Sequence, residues 1–125
     1  MDTSKQLVRD FEEAAFNAHD VEKALSFLAD DYKQHNPYFA DGKEGMKAGL
    51  EWLIGENPNM TSEIKRIFAE GEYVIIHKYA QLKPEDSTGK KAIMDIFRIE
   101  NDKIAEHWDV IEDIPEEPKN TNTMF

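Results

Sequence analysis

The chain contains no cysteine, and this absence removes several chemistries from consideration. Disulfide frameworks, thiolate metal sites and cysteine nucleophiles all need the missing residue type. Basic residues are also scarce, with 15 lysines and arginines against 26 acidic residues and a formal charge of −11. Because excess negative charge repels phosphate backbones and anionic lipid, we expect no nucleic-acid partner and no membrane-surface partner.

Long apolar runs are absent too, and none approaches the roughly 18 residues that a transmembrane helix needs. The opening MDTSKQLVRDFEEAAF lacks the basic and then apolar segments of a signal peptide, so we expect a cytoplasmic protein. With 125 residues, no linker and no repeat, the chain fits a single domain over residues 1–125. Its polar tail over residues 115–125 ends in Met124 and Phe125, which we expect to pack on the body or on a partner subunit.

Hydrophobic periodicity is helical in the first part of the chain. Apolar residues at helical spacing predict a helix over residues 4–18, a short second helix capped by Asp20, and a third helix around residues 46–54. We expect the second helix to bury apolar side chains as far as Leu28. The third helix is expected to be stopped by Gly55 and Pro58.

After this helical part the pattern changes to that of strands. We interpret four segments as consecutive antiparallel strands joined by hairpins: SEIKRIFAE, EYVIIHKYAQLK, KKAIMDIFRIE and KIAEHWDVIED. Upstream of them, Pro37 disfavours helical geometry at Asn36, so YKQHNPYF is expected to be extended or looped. Helices followed by a meander predict an α+β fold, with three helices packed on one face of a curved antiparallel sheet.

The turn between the last two strands decides which side chains share a face. Asn101 and Asp102 tolerate left-handed backbone geometry and predict a two-residue hairpin loop. In a regular ladder, one face then holds mostly apolar residues and two carboxylates: Asp95, Phe97, Ile99, Ile104, Glu106 and Trp108. We expect this face to be concave, with His107 and Asp109 on the opposite face.

A carboxylate among apolar side chains is a candidate for acid–base catalysis. Burial disfavours its charged form and raises its pKa, which suits a general base near neutral pH. The alternative is a structural carboxylate that is hydrogen-bonded by the Trp108 indole, a tyrosine hydroxyl or a backbone amide. Asp109 would share a face with Asp95 only if a β-bulge shifted the alternation by one residue. Both aspartates are therefore candidate catalytic residues.

Other polar residues are candidates for the same pocket. His35 and Asn36 precede the third helix, where a histidine could donate to a substrate oxygen or carry a proton; the alternative is a turn-stabilising pair. His77 and Tyr79 alternate along YVIIHKYAQ and would converge on a cavity if that face is concave; otherwise they line an outer or dimer-facing surface. Trp52 is expected in the core or in the pocket wall.

Three segments, AHDVEKALSFLADDYKQHNP, DIFRIENDKIAEHWDVIEDIPE and NTNTMF, resemble the SnoaL-like polyketide cyclase family of the nuclear-transport-factor-two-like superfamily. The resemblance covers nearly the whole chain. It implies a cone-shaped α+β barrel around a pocket, homodimers packed through their sheets, and a base that removes a proton next to a carbonyl. Asp109 is implied as that base, with His107 beside it and Asp95 as a polar partner on the neighbouring strand.

The sequence thus favours cofactor-independent acid–base chemistry, such as aldol-type cyclisation or isomerisation, on a small hydrophobic or carbonyl-containing ligand. No metal and no cofactor is expected, because the histidines lack ligand spacing and no glycine-rich phosphate loop occurs. The predicted catalytic residues are Asp109, Asp95, His35 and His77. The predicted substrate-binding residues are Asn36, Trp52, Tyr79, Phe97, His107 and Trp108. The alternatives are a noncatalytic binding module and a dimeric scaffold whose own side chains fill the cavity.

Overall fold

The computed structural model describes residues 3–125 and has the expected α+β fold. Three helices and five strands follow one another as α1 (Thr3–Phe16), α2 (Val21–Ser26), β1 (Leu28–Gln34), α3 (Gly42–Glu56), β2 (Thr61–Glu70), β3 (Tyr73–Lys83), β4 (Thr88–Glu100) and β5 (Lys103–Asp113). No helix within these described residues is long and apolar enough to cross a membrane.

The helices lie close to their predicted positions. Helix α1 ends at Phe16, two residues earlier than expected. The Asp20 carboxylate accepts a hydrogen bond from the Lys23 backbone N–H at 3.1 Å, which confirms the predicted cap of α2. Helix α3 ends at Glu56, between the expected stop residues Gly55 and Pro58, and the Asn57 N–H bonds back to its last turn. The helices contribute these buried residues to the core: Val8, Phe11, Ala14, Ala15, Ala24, Met46 and Leu50.

Strand β1 is the element that the sequence did not predict. Helix α2 ends at Ser26, and Leu28 begins a strand that runs parallel to β5 instead of extending the helix. A backbone hydrogen bond from His35 N to His107 O at 3.0 Å fixes the end of this strand. The strand order is β1-β5-β4-β3-β2, so the sheet is mixed. The prediction of a wholly antiparallel sheet is therefore wrong, whereas the four-strand meander is confirmed.

The hairpin between β4 and β5 forms at the predicted turn. Asn101 and Asp102 both adopt positive φ angles, of 52° and 58°. Glu100 stands opposite Lys103, as a two-residue loop requires. Here the backbone preference of two turn residues fixes the starting register of the last strand pair.

A β-bulge lies three residues beyond this turn. Ile99 pairs with Ile104, but the next pair joins Arg98 to Glu106, which leaves Ala105 as the extra residue of β5. Both Ile104 and Ala105 are buried, whereas a regular strand would turn one of them outward.

The bulge changes which residues of β5 face inward. Beyond it, Asp95 stands directly opposite Asp109, and His107 also faces inward. Glu106 and Trp108 consequently turn to the outer face. The predicted regular ladder, with Glu106 and Trp108 on the concave face and Asp109 on the other, is wrong because one extra residue reverses the alternation.

Candidate active site

A cavity of about 230 Å³ lies between the sheet and helices α1 and α3. Its walls are mainly apolar and include Phe11, Phe16, Met46, Leu53, Met60 and Ile93. Polar side chains reach it from the inner face of the sheet: Gln34, Lys78, Asp95, His107 and Asp109. An apolar hollow with a few convergent polar groups is the usual form of a small-molecule site.

Lys78 is buried between two carboxylates at the polar part of this cavity. Its Nζ lies 2.7 Å from Glu12 Oε1 and 3.3 Å from Asp95 Oδ2, and 4.1 Å from the centre of the Phe16 ring. Burial alone would lower the pKa of Lys78, but the attraction of Asp95 and Glu12 outweighs burial and raises it. Lys78 is therefore a permanent ammonium ion near neutral pH and is not poised as an amine nucleophile.

The two carboxylates beside Lys78 respond to burial in opposite ways. Burial raises the pKa of Glu12 to about 7, although Lys78 opposes the change. Burial also acts on Asp95, but Lys78 and the hydrogen bond from His107 outweigh it and hold the pKa of Asp95 below its usual value. The expectation of a raised pKa at Asp95 is wrong because a cation lies next to it.

His107 is held through both ring nitrogens. Its Nδ1 lies 2.7 Å from Gln34 Oε1, and that oxygen also accepts hydrogen bonds from the backbone N–H groups of His35 and Asn36. Nε2 lies 2.7 Å from Asp95 Oδ1. Both ring nitrogens thus have an oxygen within hydrogen-bond distance, and the imidazole is fixed in place between Gln34 and Asp95.

Within residues 3–125, the negative charge of Asp109 has no contact with a lysine like the one that Asp95 makes with Lys78. Its two carboxylate oxygens accept from Asn36 Nδ2 at 3.0 and 2.9 Å, and Asn36 is itself fixed by the Tyr38 N–H, 2.8 Å from Asn36 Oδ1. Among the described residues, the basic side chain within 4 Å of the Asp109 carboxylate is His107, whose Nε2 lies 3.9 Å from Oδ2. Asp109 therefore faces the cavity with an amide donor behind it and no lysine or arginine in contact.

His35 and Trp108 lie together on the outer surface of the sheet. Their rings stack with centroids 4.8 Å apart, and His35 Nε2 is 2.6 Å from Glu106 Oε2. Glu106 also accepts from Arg98 Nε at 2.9 Å, and these hydrogen bonds, from His35 first and then Arg98, lower the pKa of Glu106. The structure thus places His35 and Trp108 outside the cavity, while the neighbouring Asn36 does reach it.

His77 and Tyr79 lie on the outer face of β3. Their rings pack against Phe125, each with centroids 5.2 Å apart, and His77 Nδ1 contacts Arg66. The side chains that alternate with them along the strand, Ile76, Lys78 and Ala80, are the ones that point inward. The expectation that His77 and Tyr79 converge on the cavity is therefore wrong. The C-terminal Phe125 packs on the body of its own chain, as one of the two expected alternatives.

The two remaining candidates have different positions. Trp52 lines the cavity from α3, yet it is 66% exposed, so it stands at the mouth. Phe97 is a fully buried core residue whose ring lies 4.9 Å from that of His107 and 6.1 Å from that of Phe11. Phe97 thus supports His107 from behind and does not line the cavity.

Asp95, His107 and Asp109 could offer a metal ion three ligand atoms, which lie within 4.8 Å of one another. The Lys78 ammonium already compensates Asp95, and a divalent cation placed here would be repelled by it.

Sequence reasoning missed three residues of this site: Glu12, Lys78 and Gln34. Glu12 sits among the apolar residues of α1 and Lys78 among those of β3, so a charge at an otherwise apolar position was the available signal. For Gln34 no such signal existed, because β1 itself was not predicted.

Residues 8–107 match the SnoaL-like domain family. Similar folds occur in solved structures of TsrD from Streptomyces laurentii (23% identity, TM-score 0.75, 90% of this chain and 91% of that one) and of an NTF2-like protein of unknown function from Cytophaga hutchinsonii (17%, 0.73, 90% and 92%). IdmH from Streptomyces antibioticus, a proposed polyketide cyclase, is also similar (20%, 0.71, 89% and 93%). No match was found among curated proteins.

The chain belongs to the SnoaL-like domain family, as its sequence segments suggested. The structural neighbours support the nuclear-transport-factor-two-like fold and, at these identities, the fold alone. The catalytic and binding roles of individual residues stay predictions.

Proposed function

We propose that this protein catalyses cofactor-independent acid–base chemistry on a carbonyl compound, with Asp109 as the base. The observation that carries the proposal is the cavity-facing Asp109 carboxylate, which has an amide donor on one side and no lysine or arginine in contact. Such a carboxylate can accept a proton from a bound substrate, since no lysine or arginine of the described residues neutralises its charge at contact distance.

Asp95 has a supporting role in this proposal. Its Oδ1 is hydrogen-bonded to His107, and its Oδ2 lies 3.3 Å from the Lys78 ammonium in an ion pair without a hydrogen bond. His107 likewise has both ring nitrogens in contact with protein oxygens. In this proposal the Lys78 ammonium, which also lines the cavity, supplies the positive charge that stabilises a developing enolate.

The proposed reaction begins when Asp109 removes a proton from the carbon next to a carbonyl group. The electron pair of that C–H bond forms a C=C bond, and the carbonyl oxygen takes up the negative charge. In an isomerisation, protonated Asp109 returns the proton to a different carbon. In an aldol-type cyclisation, the enolate carbon attacks a second carbonyl carbon of the same molecule, and the resulting alkoxide takes the proton from Asp109.

Hydrogen–deuterium exchange at a ketone tests the first step without knowledge of the natural substrate. We expect the protein to accelerate α-deuteration of 1-tetralone in D₂O, followed by NMR, and Asp109→Asn to slow it by about 10²–10⁴-fold, the usual contribution of a general base. Asp31→Asn, which removes an exposed carboxylate from β1, is the matched control and should leave the rate unchanged. Equal rates in the wild type and Asp109→Asn would refute the assignment.

A noncatalytic binding module is the second candidate function. It is favoured by contacts that engage Asp95 and His107 within the protein: Asp95 contacts His107 and Lys78, and His107 also contacts Gln34. Binding of a ketone without acceleration of exchange would favour this candidate.

We also propose that two copies pair through the outer face of the sheet. Three apolar residues on neighbouring positions of β4 and β5 support this: Met94, Ile96 and Val110 are each at least one-third exposed, and Met94 stands directly opposite Val110. Contiguous exposed apolar side chains on a soluble protein commonly mark an interface.

A further inference from the structure

We propose that the cavity selects an uncharged ligand of one or two rings and rejects carboxylates and larger fused ring systems. This inference rests on the proposed function, since it names the class of carbonyl compound that the same site would accept. It follows from the charged side chains that line the cavity, from the volume of the cavity, and from the aromatic residues at its mouth.

The lysines that line the cavity already have carboxylate partners within the protein. Of the lysines among the described residues that line it, Lys78 is held by Glu12 and Asp95, and Lys91 by Asp113. Asp109, in contrast, presents negative charge to the interior. A carboxylate that enters would lose its hydration and face the ionised Asp109, whereas an enolate forms only after Asp109 has taken up a proton and lost its charge.

A cationic ligand is disfavoured by a different feature. The Lys78 ammonium at the polar end of the cavity would repel a second ammonium group there. An ammonium ligand that paired with Asp109 would also make that carboxylate a weaker base, which is incompatible with the proposed proton abstraction. An uncharged oxygen acceptor, such as a ketone, meets neither obstacle.

The volume limits the size of an enclosed ligand. At about 230 Å³ the cavity is smaller than the roughly 300–1,000 Å³ of sites that enclose drug-sized molecules. One or two rings can be enclosed, whereas a third fused ring would have to extend through the mouth.

Two aromatic residues stand at that mouth and suit a planar ligand. Tyr38 and Trp52 line the cavity and are 90% and 66% exposed, so large apolar surfaces remain uncovered at its entrance. A ring that enters between them would cover apolar surface on both, which stabilises the complex without a charged contact.

A set of probes on one ring skeleton tests the charge selectivity. Trp108 is replaced by phenylalanine, which keeps an aromatic ring on His35 and leaves Trp52 as the one tryptophan reporter. Fluorescence titration at pH 7 then compares 1-tetralone with 1,2,3,4-tetrahydro-1-naphthoate and with 1-aminotetralin, which differ in charge on the same two-ring frame. The three-ring 3,4-dihydroanthracen-1(2H)-one tests size.

We expect 1-tetralone to bind at least tenfold more tightly than each of the other three probes. Asp109→Asn should reduce the ratio of the dissociation constant of the carboxylate to that of the ketone, while Asp31→Asn should leave this ratio unchanged. The inference is overturned if the carboxylate, the amine or the three-ring ketone binds as tightly as 1-tetralone, or if none of the four binds. Binding of 1-tetralone without accelerated deuteration would refute the proposed enzyme and leave this selectivity standing.

Discussion

Among single residues, Lys78 has the most unusual environment, since its side chain is only 4% exposed and lies between Glu12 and Asp95. Removing the cation leaves two buried carboxylates without compensation. We therefore expect Lys78→Met to lower the free energy of unfolding by about 3–5 kcal/mol, the typical effect of breaking a buried ion pair from one side. Urea denaturation followed by circular dichroism measures this change.

The matched control is Lys91→Met, which breaks a lysine–carboxylate contact with the exposed Asp113 on the same sheet. Exposed pairs contribute roughly 0–1 kcal/mol, so this variant should be nearly as stable as the wild type. If both variants lost a similarly small amount of unfolding free energy, Glu12 and Asp95 would not depend on Lys78 for charge compensation.

Glu12 makes stability depend on pH in a direction opposite to that of most carboxylates. Its pKa is about 7 in the folded protein against an ordinary value of 4.5, so between these values the folded state holds a proton that the unfolded chain has released. The free energy of unfolding therefore falls as the pH rises from 4.5 to about 7 and is level above that. Since one pKa unit corresponds to about 1.4 kcal/mol, the fall is on the order of 3 kcal/mol.

Glu12→Gln should abolish this fall, while Glu13→Gln, on the adjacent exposed position of α1, should retain it. Denaturation curves collected from pH 4.5 to pH 8 give the comparison. Asp95 and Glu106 have lowered pKa values, so their stabilisation is lost only as the pH falls below their ordinary values of 3.8 and 4.5. A constant difference between wild type and Glu12→Gln across the range would contradict the raised pKa.

The residue-level site was only partly predictable from the sequence. Asp109 and His107 were recognised through a family resemblance, whereas the alternation of β3 was ambiguous because both of its faces carry apolar residues. Val74 and Ile76 lie on the inner face with Lys78, and Ile75 lies on the outer face with His77. Hydrophobicity alone could not decide between these faces; only packing against α1 did so.

At the scale of elements, the bulge at Ala105 determines which side chains of β5 reach the cavity. Deleting Ala105 would restore a regular ladder in which Arg98 still stands opposite Glu106 and Asp95 opposite Asp109, so His107 and Asp109 would keep facing inward. We expect the deletion to lower the free energy of unfolding by only about 1 kcal/mol, because it removes the buried methyl group of Ala105 and brings no charged side chain into the core.

Thermal unfolding and two-dimensional NMR of the deletion variant check this expectation. Deleting Glu85, in the exposed loop between β3 and β4, is the control and should have a small effect because loops tolerate changes in length. A large loss of stability together with shifted signals near Asp95 would show that the pairing of Asp95 with Asp109 needs the extra residue.

The elements themselves were predictable where the local signal was unambiguous. The Asn101-Asp102 turn and the four meander strands followed from turn chemistry and period-two patterning. Strand β1 did not, because its two buried residues, Leu28 and Tyr32, are four apart and so resemble a helical repeat. Only pairing with β5, which is distant in sequence, makes this segment a strand.

For the whole molecule, the exposed apolar face of the sheet predicts association of two copies. Val110 is 69% exposed, so Val110→Lys should cost the isolated chain little while placing charge in the proposed interface. We expect sedimentation velocity to show a dimer for the wild type and a monomer for Val110→Lys. Tyr38→Lys, at the cavity mouth, should remain dimeric; a monomeric wild type would refute the proposal.

The fold was predictable at this scale because it depends on patterns that run along most of the chain. The SnoaL-like domain match covers residues 8–107, and the same architecture occurs in proteins that share less than a quarter of their residues with this chain. The charges inside the cavity, in contrast, depend on a few side chains. Proteins of one fold can carry many different charged residues at these positions, so the fold does not predict them.

The bulge also affects how relatives should be compared with this protein. A relative that lacks the extra residue has a last strand one position shorter, and an alignment that places the gap after Asp109 would match that aspartate with an outward-facing neighbour. Placing the gap at Ala105 keeps the inward positions in correspondence. Any survey of catalytic carboxylates among homologues should therefore anchor its columns on the His107–Asp109 segment and count backwards to the hairpin.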